Sequence, residues 1–417
     1  MESNESQERD WSSLPPDLLN LIAKKVGEIT NFVRFRAVCT SWCSSTPVSD
    51  LPPQFPWIFR DHITPGDLTV SFYSIPLDKF YNFHAPNSSV KEFMSKEFKG
   101  PSEGYIYMVS HFFHQNHHKN ELNLQVTTTS SRQRNLKSVF ANIWAILVTG
   151  SQLNRSVQSS FQNTFHYSSP GSLISQLSLF NPLNNHEFIL PAYDFGKLPC
   201  YFRAWKNQLQ EYVIYYGNYG CPHNKLVSWR LGQANWCQVN LDSNNVYYDY
   251  FFLKGMLFSV KRDTGIIKVT DIGTGTLVSV LPSIEGYSNY IRGYLVEASG
   301  DILRVIRNRD QHPLPLTSEL FEVYRLDENK NGSPCWVKVR SIGDYALFID
   351  LNHALILKAN DLAMIKRNSI YFMRRVDMNC GTFYDVKRMN IDTGAVEYLA
   401  RDLSGSPQWF VPNLHHL

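Results

Sequence analysis

The sequence predicts a mainly β protein: a small α-helical segment at about residues 11–48, then a β-propeller-like domain of roughly six to eight blades. Three observations predict it. Apolar residues recur at helical spacing only near the start of the chain. Beyond residue 66 they fall instead into short strand-like runs broken by Gly, Asp and Asn. Such runs fill about 350 residues, too many for one open sheet, which curls, splits or closes to hide its edges.

Residues 1–10 are polar and acidic and lack an apolar stretch, so they are expected to form a disordered tail, not a secretory signal or transit peptide. Between Trp11 and Ser45 one stripe comprises Leu18, Leu19, Ile22 and Val26, and a second comprises Phe32, Phe35, Val38, Cys39 and Trp42. This spacing predicts two short amphipathic helices. Ser12, Ser13 and the Pro15-Pro16 pair suit the first start, because proline's missing N–H costs nothing in a first turn. Gly27 suits its end; Thr30 or Asn31 can cap the second helix, and Pro47 stops it. A hairpin this short cannot bury both stripes by itself, which calls for a partner surface.

Residues 49–66 are expected to be a stiff linker, since Pro52, Pro53, Pro56 and Pro65 keep the backbone extended. Leu51, Phe55, Trp57, Ile58 and Phe59 are interleaved with them, so the linker is expected to pack on the domain that follows. In that domain, residues 67–417, the clearest strands are 226–230, 236–239, 246–252, 256–260, 266–271 and 276–281. Turns at Lys254-Gly255, Asp263 to Gly265 and Gly273 to Gly275 separate them as hairpins of an antiparallel meander. Further runs at 68–75, 105–113, 122–128, 293–298, 302–307, 321–326, 336–339, 370–373, 383–389 and 396–398 extend the pattern, with no long helix among them. Radial repetition of four-stranded blades hides the edges of so long a meander. A pair of sandwiches or an irregular barrel is the alternative, because neither a Gly-His to Trp-Asp period nor a double-glycine period is present.

Forty basic and 37 acidic residues leave a formal charge of +3, too weak a field to argue for nucleic acid or an anionic membrane. The basic pairs Lys24-Lys25, Lys366-Arg367 and Arg374-Arg375 read as solvated faces. The most apolar window, Val139 to Val148, is well short of the roughly 20 residues a membrane helix needs. Seven scattered cysteines without a Cys-x-x-Cys pair fit reduced thiols of the cytoplasm or nucleus. His111, His114, His117 and His118 are the one conspicuous metal candidate, yet Gln115, Asn116, Lys119 and Asn120 surround them without a nearby acid or thiol, so a polar loop is the reading. Cys39 and Cys43 read as structural thiols, and Gly273-Thr274-Gly275 as a hairpin turn, lacking the lysine of a phosphate loop. No hydrolase, zinc-protease or kinase motif is present. No cofactor or metal is expected.

The N-terminal hairpin resembles the F-box. Leu14-Pro15-Pro16-Asp17-Leu18-Leu19, Ile22 and Phe35-Arg36-Ala37-Val38-Cys39-Thr40-Ser41-Trp42 carry that resemblance in order and spacing. Asn31 stands where many members have an acidic helix start, and Cys43 where many have arginine. The remainder resembles plant F-box proteins of the KIB type, whose C-terminal domain looks like a β-propeller. Its strings are Leu51-Pro52-Pro53-Gln54-Phe55-Pro56-Trp57, Phe180-Asn181-Pro182 with Leu190-Pro191, Tyr294 to Glu297, Phe321 to Asp327, Trp336 to Val339, Ile342 to Phe348 and Asn368 to Phe372. Residues 84–290 match least.

The resemblance implies a non-catalytic substrate-recognition adaptor of an SCF-type (Skp-cullin-F-box) ubiquitin ligase. Leu14, Pro15, Leu18, Leu19, Ile22, Val38, Cys39 and Trp42 are expected to dock a Skp-type adaptor, and through it a cullin-RING scaffold. The propeller is expected to bind an unidentified protein substrate, at residues the sequence does not mark. A non-ligase interaction module and a propeller enzyme are the alternatives.

Overall fold

A computed structural model describes residues 11–51, 54–60, 69–84, 95–102, 105–113, 173–191, 201–206, 211–217, 225–230, 233–239, 247–253, 255–261, 264–272, 274–284, 293–307, 320–329, 331–350, 354–359, 364–378, 381–405 and 407–412. The chain forms two compact units, Met1–Phe112 with Ser175–Leu417, and Phe113–Ile174. The second is almost wholly outside the described residues, as are the expected tail, the expected strand 122–128 and the apolar window 139–148.

The helical segment holds three helices, not two: α1 (Pro16–Lys25), α2 (Ile29–Arg36) and α3 (Thr40–Ser45). Pro15 is the N-cap of α1 with Pro16 in its first turn, and Asp17 and Lys24-Lys25 lie where the helix dipole favours each sign. The second apolar stripe breaks because Cys39 is extended, φ −160° and ψ 172°, and so interrupts the helical ladder and becomes the N-cap of α3. Pro47 then follows the end of α3 and opens a short 3-10 turn, Val48–Asp50.

The described strands form six sheets. The first joins β1 (Trp57–Arg60), β2 (Thr69–Ser74) and β3 (Lys79–His84) to the last strand, β25 (Gln408–Phe410), in the order β25-β1-β2-β3. Four more are four-stranded: β4 (Ser95–Ser102), β5 (Tyr105–Phe113), β6 (Leu173–Asn181) and β7 (His186–Ile189); β8 (Tyr201–Lys206), β9 (Glu211–Gly217), β10 (Lys225–Arg230) and β11 (Cys237–Val239); β12 (Tyr247–Leu253), β13 (Met256–Lys261), β14 (Ile267–Asp271) and β15 (Leu277–Leu281); β16 (Gly293–Ala298), β17 (Asp301–Arg307), β18 (Phe321–Glu328) and β19 (Pro334–Val339). The sixth sheet has five strands, β20 (Tyr345–Ile349), β21 (Ala354–Lys358), β22 (Ser369–Met378), β23 (Gly381–Asn390) and β24 (Val396–Ser404), in the order β21-β20-β22-β23-β24.

One edge strand of each sheet faces its counterpart in a neighbouring sheet. β25 lies beside β4, β4 beside β8, β12 beside β16 and β16 beside β21. Sheets whose edges meet in succession are arranged radially, which is a β-propeller and not a sandwich. The expected six to eight blades are not matched. Five sheets are regular four-stranded blades, and the sixth departs from the meander because β20 and β22 run parallel. A parallel pair needs a connection that carries the chain back to the same end, and that return contains β21, paired antiparallel to β20 as a fifth strand.

The central hairpins follow the expected turn chemistry. Gly265 and Gly275 take φ of +67° and +71° and donate their N–H groups to Lys261 O at 2.9 Å and Asp271 O at 2.8 Å. A side chain at such a φ is strained, which is why glycine closes these turns.

Neighbouring blades are latched by a device that no sequence period announced. Trp236 Nε1 donates to Pro191 O, and Trp336 Nε1 to Pro282 O, each at 2.8 Å. Both carbonyls follow a Leu-Pro pair ending the previous blade, so the indole satisfies a group that the ladder leaves over. Arg304, 5% exposed, adds to the second latch by donating to Gly265 O at 3.0 Å with its guanidinium above the Trp336 ring.

The ring closes through β25. Phe59 pairs with Gln408 and Ile58 with Trp409 on one side of β1, while Phe59 pairs with Phe72 on the other. Strand β1 lies inside the expected linker 49–66, so the propeller takes up the chain about ten residues earlier than the expected start at 67. The buried apolar residues of the linker are the reason: Phe55, Trp57, Ile58 and Phe59 are core residues.

Candidate functional site

Helix α1 carries two apolar faces. Leu19 and Ala23 are fully buried and Val26 is partly buried, at the i, i+4, i+7 spacing of one face. Leu18, Leu21 and Ile22 occupy another face and are 47%, 59% and 43% exposed. The single expected stripe of Leu18, Leu19, Ile22 and Val26 is thus divided, and Leu19 belongs to the chain's own core. Leu21 and Trp11, absent from the expected set, are among the most exposed apolar side chains on the segment. Five of the sixteen large apolar side chains exposed among the described residues, Trp11, Leu18, Leu21, Ile22 and Val38, fall between residues 11 and 38. The exposure is concentrated on this one short segment.

The remaining expected residues are placed as follows. Pro15 is exposed, Leu14 and Cys39 are half-buried, and Val38 is exposed in the break between α2 and α3. Trp42 is half-buried: its ring lies 4.4 Å from that of Phe35, and its Nε1 donates to Trp11 O at 3.1 Å. The two departures from the family pattern have local compensation. Arg36 Nη1 donates to Cys43 O at 3.2 Å, bringing a guanidinium to the end of α3. Glu28, the N-cap of α2, accepts from Asn31 Nδ2 at 3.3 Å, so an acid stands at that helix start after all.

What mounts this face is a shared core. Ala23, Ile29 and Phe32 join Trp57, Phe59, Val70, Phe72, Tyr81, Ile106, Met108, Phe180 and Phe410 in one buried cluster, with Val26, Val33, Phe35, Val48 and Leu51 packed on it. Trp57 stacks on Tyr81 at 4.6 Å, and Phe72 meets Phe410 at 4.6 Å. The helices are therefore fixed to the first two blades and to the ring closure.

A polar joint lies beside this core. Gln54 Oε1 accepts from Ile29 N at 3.1 Å and its Nε2 donates to Gly27 O, so the linker satisfies backbone groups left over at the turn between α1 and α2. The Glu28 carboxylate accepts from Thr30 and from the Tyr81 hydroxyl on β3, and Asn20 donates to Asp50. Burial pushes the Glu28 carboxyl up, but the hydrogen bonds from Thr30 and Tyr81 and the charges of Lys79 and Arg34 outweigh it and hold the group below its ordinary value. Burial first, and then the bond to Glu28, push the Tyr81 phenol up to about 12.

The joint's contribution is present above the unfolded pKa of Glu28 and is lost as pH falls through its lower folded value. On the alkaline side it is present below the ordinary phenol pKa and is lost as pH rises through about 12. Glu28→Gln is expected to flatten the acid limb of the stability profile and Tyr81→Phe the alkaline limb. Unfolding midpoints measured from pH 3 to 12 check both.

Among the described residues no three His, Cys, Asp or Glu side chains gather into a metal site. His114, His117 and His118 lie outside the described residues. Cys39, Cys43, Cys237 and Cys335 are free thiols. The pairs Lys24-Lys25, Lys366-Arg367 and Arg374-Arg375 are exposed. No helix among the described residues is long and apolar enough to cross a membrane.

Residues 72–396 match the family described as the KIB1-4 beta-propeller. The chain belongs to that family. Curated relatives of this KIB1-4 type chain are F-box proteins of Arabidopsis thaliana. "Putative F-box protein At5g66830" is 23% identical over 96% of this chain and 93% of its own length. "Putative F-box protein At4g22660" is 24% identical over the whole of both chains, and "F-box protein SKIP23" is 23% identical over 87% of this chain and 84% of its own. A KIB1-4 propeller with an N-terminal helical segment is accordingly a plant F-box type architecture.

Proposed function

We propose that this chain is the substrate-recognition subunit of an SCF-type ubiquitin ligase. The observation that carries the reading is the outward face of α1, Leu18, Leu21 and Ile22, left exposed on helices whose opposite face is locked into the propeller core. Fully burying an exposed side chain of this kind is worth about 1.5–3 kcal/mol, and these, already about half covered, stand to gain about half of that each, with a few such anchors dominating a complex. A Skp-type adaptor is the partner, with Pro15, Leu18, Ile22 and Val38 as direct contacts; Leu14, Cys39 and Trp42 shape the face, and Leu19 supports it from behind. Through the adaptor a cullin-RING scaffold joins, in the cytoplasm or nucleus. The propeller presents a protein substrate. The chain performs no chemistry; it raises the effective concentration of substrate lysine at the charged conjugating enzyme.

Co-purification of the chain with adaptor, cullin and RING subunits tests this. All three are expected with the wild type, and all are expected to be lost from Leu18→Asp combined with Ile22→Asp. Adaptor without cullin would instead make the chain a non-ligase interaction module. Point substitutions are preferable to deleting the segment, because removal of Ile29 and Phe32 would open the propeller's own core.

A further inference from the structure

On the outer edge strand β24, Tyr398 is 49% exposed and is approached by two cations. Lys387, its cross-strand partner on β23, places Nζ 4.1 Å from the ring centroid and donates to the phenolic oxygen at 3.0 Å. Arg401 places its guanidinium 4.2 Å from the same centroid. Residues three apart on a regular strand point to opposite faces. Here Lys387 pairs with Tyr398 but Val386 with Ala400, so Leu399 is the extra residue of a bulge, and it brings Arg401 round to the face of Tyr398.

The charges at this place are not balanced. Lys387 is only 5% exposed, and its ammonium, which has three donors, uses one of them on Tyr398. Neither Lys387 nor Arg401 forms an ion pair among the described residues. Glu397 is engaged by Arg388 at 2.5 Å, and Asp385 acts on Tyr398 only through space. A largely buried ammonium and a guanidinium, neither with a carboxylate partner among the described residues, gathered at one phenol ring make a positive site suited to an anion. The Lys387 hydrogen bond, then its charge, with a smaller part from Arg401, hold the Tyr398 phenol below its ordinary value, as a positive local potential does.

We propose that Lys387, Tyr398 and Arg401 form a binding site for a phosphate monoester. Two unpaired cations match the charge of about −1.5 to −2 on such a group at neutral pH, whereas a carboxylate would neutralise one. Lys387 and Tyr398 would donate to it from the sheet and Arg401 from the rim. The site does not depend on the helical docking face.

Phenyl phosphate, inorganic phosphate and benzoate titrated into the full chain test it, followed by NMR of carbon-labelled tyrosine with the Tyr398 signal assigned from Tyr398→Phe. Phenyl phosphate is expected to shift Tyr398 saturably, more tightly than inorganic phosphate or benzoate. Arg401→Gln, a surface change that leaves the fold intact, is expected to weaken it at least tenfold. No saturable shift, or equal affinity in Arg401→Gln, overturns the site. Benzoate binding as tightly as the ester overturns the phosphate assignment, and inorganic phosphate doing so assigns the site to the free ion and overturns the ester. Adaptor binding is expected to be unchanged in Arg401→Gln, so failure here is distinct from failure of the ligase reading.

Discussion

Trp409→Ala is expected to destabilise the propeller by about 3–5 kcal/mol, the cost of emptying a fully packed aromatic site. Trp409 is 1% exposed and lies in the core shared by the first and sixth sheets, among Ile58, Tyr73, Ala346, Phe348 and Tyr371, with its ring 5.1 Å from Phe348. Its indole also donates to Ile349 O at 3.2 Å, and that buried carbonyl would lose its partner. The backbone N–H of Trp409 donates to Asp350, a fully buried carboxylate, at 3.1 Å. This residue is where the end of the chain closes the ring, so its loss is felt by β1 as well as β25. Urea unfolding of wild type and Trp409→Phe beside Trp409→Ala measures the effect; the phenylalanine variant is expected to recover most of the packing but not the indole hydrogen bond.

Phe32→Ala is the second large loss, again about 3–5 kcal/mol. Phe32 is fully buried on α2, in the cluster that joins the helices to Trp57, Phe72 and Phe410. The cavity would sit where the helices mount on the propeller, so two readouts are expected to move together. The unfolding midpoint falls, and amides of α1 and α2 exchange hydrogen faster than those of the distant β16–β17 hairpin. A drop in stability with equal protection in the helices would show that they are not held by this core.

Much of this was legible in the sequence where the determinants are local. Hairpins closed by Gly255, Gly265 and Gly275 announce themselves because a positive φ needs glycine, and the strands from β10 to β19 follow from alternation between such turns. The start of α1 followed from its prolines. Non-local features were hidden. The parallel pairing of β20 with β22 depends on a crossover, and the Trp236 and Trp336 latches join groups 45 and 54 residues apart.

The outward face of α1 was legible only in part, for a physical reason. Helical periodicity says which residues share a side, not whether that side meets the chain's own core or another protein. Leu18 and Leu19 are neighbours in sequence, yet one is 47% exposed and the other fully buried, because a helix turns about 100° per residue. Leu21 falls outside the motif, although its i+3 spacing from Leu18 places it on the outward face.

We propose that α1 presents an apolar face to a Skp-type adaptor while its other face is locked into the propeller. Calorimetric titration of a purified Skp-type adaptor into the purified full-length chain tests it most directly, with wild type beside Leu18→Asp/Ile22→Asp and with unfolding midpoints recorded for both. Saturable one-to-one binding by the wild type is predicted, with at least a hundredfold loss in the variant and an unchanged midpoint. Equal binding by the two proteins, or none by a folded wild type, would contradict the account.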